Sequence, residues 1–260
     1  MTLRNVGLAR AAMVAIALAT LGPAVAGCDD ASSKGPGSEP ASPGATTAAA
    51  APASTPAPAP EPPRAPDIVV DASTVAVGSN RVATGEPGLA DKVAVFAAGY
   101  PMIAGNTVPF VAMRNAKPSH VAAVAAALKK AKATGAVVKS EARDNTTQKV
   151  PLSFTTSVGD CTTVAWIAKD AAIDVWPAGG GTAKRIIKGL AGPDMTLGAE
   201  AMRKQWGGCS SPELVVGADD VMTWGLVFDL ALAGLQAAMT HVSTAVLVTN
   251  AVPGRKLVLE

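Results

Sequence analysis

The sequence predicts an α+β fold: two small modules, each of strands with two helices, behind a disordered Pro/Ala-rich linker. Three observations carry this. From Asp67 onward, short β-branched runs alternate with Gly, Pro, Asn and Asp turns. Two longer stretches, 119–133 and 223–238, place apolar residues at helical spacing. The order of elements in 67–155 then returns in 156–260, at a spacing near 100 residues.

Composition narrows the function classes first. Hydrophobic residues make up 49% of the chain, yet only one apolar run, near 11–26, approaches membrane-spanning length. A polytopic membrane protein needs several. Charged residues are 16% and the net charge is +2, which disfavours a nucleic-acid partner. Two His and three Cys leave little material for a metal site, and nothing signals a cofactor.

Residues 1–27 are expected to be an export signal. Arg4 and Arg10 give a positive start, and Ala11 to Ala26 give an apolar core too short to span comfortably. The segment ends in Val25-Ala26-Gly27-Cys28, which resembles the bacterial lipobox. That resemblance implies cleavage before Cys28, acylation of its thiol and stable attachment to a membrane. The alternative is an ordinary secretory signal with an incidental Cys. Loss of Arg4 and Arg10 takes the net charge from +2 to zero, so steering of an acidic partner by net charge loses its support. Asp29 resembles an inner-membrane retention signal, but the choice of membrane stays open.

Residues 28–66 are expected to be the tether. Ten of the twenty prolines fall in 29–66, with Ala, Ser, Gly and Thr between them. Such a segment cannot form a helix or bury a core. In polyproline II form it would reach about 100 Å, at about 3.1 Å per residue.

In the first module, 67–155, Ile68–Val70 and Thr74–Val77 are expected strands around a turn at Gly78-Ser79-Asn80. Gly88–Ala97 is an expected short helix and Val108–Met113 a strand. Ser119 is an expected cap for a helix with Val121, Val124 and Leu128 on one face, closed by a left-handed Gly135. Ala136-Val137-Val138 begins a further strand. In the second module, 156–260, Thr162–Ala168 and Ala172–Trp176 are expected strands, with Gly179-Gly180-Gly181 as a turn. Thr196 is an expected cap for a helix reaching Trp206. Glu213–Ala218, the helix 223–238 and Ser243–Thr249 follow, and Lys256–Leu259 would add a short edge strand. A single α+β domain with incidental internal similarity is the alternative to two modules.

Leu214-Val215-Val216-Gly217-Ala218-Asp219, then Thr223-Trp224-Gly225-Leu226-Val227, then Ala245–Thr249 resembles the periplasmic domain of the biopolymer transport ExbD/TolR family. The likeness covers roughly 160–250 and, more faintly, 67–145. It implies structural roles for Asp219, Trp224 and Gly225, with a carboxylate accepting backbone N–H groups before a helix and a glycine permitting close packing. Residues 11–26 carry no Asp or Glu, so the proton-coupled membrane helix of that family does not carry over. What remains is a non-catalytic binding or scaffolding role, a homodimer through the closing strand, and contact with envelope motor or transport proteins.

With Cys28 acylated, Cys161 and Cys209 form an even pair, and an oxidising compartment favours one disulfide between them. Trp206 and Trp224 are the candidate binding rings, for sugars or for a protein interface. Exposed rings would favour the alternative function, a secreted carbohydrate-binding protein or an enzyme. Pro177–Lys184 is Gly-rich but lacks the Gly-Lys-Ser/Thr ending of a phosphate loop and suits a hairpin turn. His120 and His241 stand apart from each other and from other ligand types, so neither points to a metal.

Overall fold

Three consecutive β-branched residues, Ile68–Val70, form β1 in the computed structural model, which describes residues 65–209, 212–238 and 242–259. Asp71 turns the chain: its carboxylate accepts the backbone N–H groups of Ser73 and Thr74, each at 2.7 Å, and the Thr74 hydroxyl at 2.8 Å. The Ser73 N–H, followed by these other donors, outweighs burial and lowers the Asp71 pKa to about 2. Strands β2 (Thr74–Val77) and β3 (Asn80–Ala83) complete an antiparallel meander. Helix α1 (Leu89–Ala98) leads to β4 (Thr107–Ala112), which lies parallel to β1. Helix α2 (Pro118–Lys130) leads to β5 (Gly135–Glu141), parallel to β4, and β6 (Thr147–Leu152) turns back antiparallel.

The remaining residues follow the same order. Strands β7 (Thr162–Ile167), β8 (Ile173–Pro177) and β9 (Lys184–Ile186) form a second antiparallel meander. Helix α3 (Met195–Gln205) leads to β10 (Glu213–Ala218), parallel to β7. Helix α4 (Trp224–Ala237) leads to β11 (Ala245–Val248), parallel to β10. All strands join one mixed sheet in the order β3-β2-β1-β4-β5-β6-β11-β10-β7-β8-β9. The β6–β7 connection holds the 155/156 boundary, and the halves meet where Ala245 pairs in parallel with Leu152. The described residues belong to one compact unit.

Alternation decides what each strand buries. Ile68, Val70, Phe110, Val138 and Leu152 in the first half, with Ile167, Val216 and Ala245 in the second, face the helices. They pack with Val93, Val124, Met202 and Phe228 in one continuous core. The intervening residues of the second half, Val164, Trp166, Trp176, Val215 and Val246, form a second cluster on the other face. The segment after β11 covers that cluster with Leu257. It is pinned there by the Leu257 N–H on the Ala178 carbonyl at 2.8 Å and by the Trp176 indole N–H on the Arg255 carbonyl at 3.0 Å. Residues 256–259 thus run as an irregular strap and not as the expected edge strand. The corresponding face of the first half leaves Val111 and Met113 exposed.

Three expected helix ends are corrected. Helix α2 begins at Pro118, whose ring suits the first turn, so Ser119 lies inside the helix and caps nothing. Lys132, at φ 64°, takes the left-handed position after α2, while Gly135 starts β5. Asp194, not Thr196, caps α3, accepting the Leu197 N–H at 3.0 Å. Cys161 and Cys209 are disulfide-bonded, with Cα atoms 5.7 Å apart, and tie the approach to β7 to the turn after α3. Among the described residues no helix is long and apolar enough to cross a membrane.

Candidate binding groove

The two halves are locked by polar contacts contributed from each side. Arg114, just past β4, reaches over α4 and makes a two-pronged bond to Asp229, at 3.0 and 2.7 Å. The same guanidinium donates to the Glu141 carbonyl at 2.6 Å. The Asp229 carboxyl is nearly inaccessible, whereas the Arg114 side chain keeps 31% of its exposure. Bonding to Asp229 raises the Arg114 pKa against the opposing effect of burial. The Trp224 and Gly225 N–H groups, free at the start of α4, donate to the Ala116 and Arg114 carbonyls at 2.7 and 2.9 Å. Asp220 returns the favour, accepting the Ser119 N–H at 3.1 Å in the first turn of α2.

Gly225 is therefore the passage for Arg114. A Cβ at that position would lie 2.9 Å from the guanidinium carbon and from Nε. Gly225 and Asp229 are four apart, on one face of α4, so the bare backbone at 225 lets the arginine lie across to 229. The expected close packing of Gly225 is against an arginine of the other half. Asp219 accepts the Val221 N–H at 3.1 Å in a turn, and Asp220 serves α2, so neither caps α4. Thr223 holds the cap position without a side-chain bond.

The expected binding rings are not surface groups. Trp224 is fully buried against Phe228, with ring centres 6.0 Å apart, and its indole N–H has no partner among the described residues. Trp206 is 6% exposed and donates to the Glu213 carbonyl at 3.3 Å. Trp166 and Trp176 are buried too. Bulky rings at these positions fill the core of the second half, so none of the four tryptophans offers an exposed face for stacking. The half-buried His120 has no partner for its Nδ1 among the described residues. Its pKa is lowered chiefly by burial, assisted by Lys117 and opposed by Asp220. Cys28 and His241 lie outside the described residues.

The join itself leaves an opening. Beyond Leu152 the first half leaves the sheet, and Ser153 makes the last bond to β11, its N–H on the Ala245 carbonyl at 2.9 Å. A groove of about 560 Å³ follows, between the onward edge of β11, the 153–155 segment, the outer face of α2 and the C-terminal strap. Small side chains, Ala122 and Ala126, form the α2 wall. Sequence reasoning missed this place because its parts lie far apart in the chain. The Ala-rich outer face of α2 was the available signal.

The closing strand β11 also differs from the edge expected for a homodimer. It sits inside the sheet, between β10 and β6, and the sheet ends instead at β3 and β9. In the comparisons with known proteins, no family model, curated protein or solved structure matches the chain.

Proposed function

We propose that this chain is a cell-envelope lipoprotein, anchored through Cys28 and facing the periplasm, whose folded body binds a partner without catalysing a reaction. The observation that carries the binding role is the groove at the join, where an interior strand keeps an edge that no other strand among the described residues occupies. A disulfide between Cys161 and Cys209 supports an oxidising compartment, in keeping with the lipobox-like Val25–Cys28. The Pro-rich stretch 29–66 supports a spacer between membrane and folded body. On the likeness of residues 214–249 to the ExbD/TolR periplasmic domain, the partner is proposed to be an energy-coupling complex of that type.

Recovery from detergent-solubilised membranes, wild type against Cys28→Ala, tests this. The wild type is expected in the membrane fraction together with motor components, and the Cys28→Ala chain in the soluble fraction without them. A wild-type chain that stays soluble, or that brings down glycans alone, would overturn the proposal.

A further inference from the structure

The groove carries a more specific reading, which rests on the binding role above and names the partner's chemistry. We propose that it takes an extended, acidic polypeptide segment as an added strand beside β11. Backbone geometry supplies the first argument. A strand residue points its N–H and C=O to the same side, and residues two apart share that side. Ala245 offers its carbonyl to Ser153, so Leu247 presents both backbone groups into the groove, with no backbone partner there among the described residues. An open edge of this kind recruits a strand, main-chain bonds giving affinity and neighbouring side chains giving choice.

Shape and charge supply the second. Ala122 and Ala126, four apart on α2, keep the facing wall low enough for side chains of an incoming strand. The groove's charged residues are Lys129, Arg255 and Lys256, with no carboxylate among the described ones. Three cations on the rim of a backbone edge select an anionic strand. The chain's own 29–66 segment suits the site poorly, since each of its ten prolines lacks the N–H that a strand must donate.

Fluorescence anisotropy with the full chain tests the proposal, the probe being a fluorescein-labelled hexapeptide of alternating Val and Glu. The acidic peptide is expected to bind, and its Lys-for-Glu counterpart to bind at least about tenfold more weakly. Ala126→Trp, an exposed position that fills the groove, is expected to abolish binding at an unchanged melting temperature. Lys129→Glu is expected to weaken it by about tenfold. N-methylation of the valines, which removes strand donors, should abolish it. Equal affinity for both peptides, or binding that survives Ala126→Trp, would overturn the proposal. So would a concentration-dependent dimer broken by Ala126→Trp, since that would give the groove to a second copy. The membrane recovery of wild type against Cys28→Ala involves no peptide, so the anchoring and scaffolding role stands or falls separately.

Discussion

Arg114 and Asp229 share one ion pair but not one environment. The carboxylate is 6% exposed and the guanidinium side chain 31%, so removing either partner strands a different charge. Arg114→Met leaves a carboxylate with almost no access to water and is expected to cost about 3 kcal/mol. Asp229→Asn leaves a guanidinium that can turn toward solvent and is expected to cost less, about 1 kcal/mol. Urea denaturation of the two variants checks the order, and equal losses would contradict it. His120 gives a second prediction at this scale. Burial lowers its pKa below the ordinary value, so the unfolded chain takes up that proton first as pH falls. Stability on this account is constant above about pH 6.5 and declines below it, levelling out once pH has passed the folded-state pKa. His120→Gln should flatten that decline in a series of melts. An unchanged slope would remove His120 as its source.

Among the elements, the disulfide ties the approach to β7 to the turn after α3. It joins residues 48 apart in sequence, which the chain-entropy treatment converts to about 4 kcal/mol before any strain. A Cys161→Ser/Cys209→Ser double variant is expected to lose about 2–4 kcal/mol and to match the reduced wild type. A variant as stable as the oxidised protein would show the bond to be silent. The elements also show what the sequence could disclose. Strands β1, β4, β7 and β10 are legible because burial demands Val, Ile and Thr there. Strand β6 reads Thr-Gln-Lys-Val-Pro-Leu and β9 Lys-Arg-Ile, because most of their residues face water and so carry no run of apolar side chains. The helices start at Pro118 and Met195 and not behind Ser119 and Thr196, because Pro118 and Asp194 hold the same turns with stronger local preferences. The locking pair was invisible as a pair, since nothing local marks Arg114 as the group that requires Gly225. The groove was illegible for the same reason of distance: Ala126 and Leu247 meet only after the halves have joined.

At the scale of the whole molecule, the shared sheet, the continuous core and the Arg114–Asp229 pair make the halves one cooperative body. All four tryptophans lie between 166 and 224, so indole fluorescence reports the second half while far-ultraviolet dichroism reports both. The two signals are expected to trace a single coincident transition in urea. Dichroism that changes ahead of fluorescence would mean that the first half unfolds independently. The interlock has a bearing on synthesis. Ser119 waits for Asp220, 101 residues later, and Arg114 for Asp229, 115 residues later. At ribosomal rates of about 5–20 residues per second, those intervals span roughly 5 to 23 seconds. For that time the earlier half carries an unmatched cation and an unfinished sheet edge, a window in which a holding chaperone has something definite to hold.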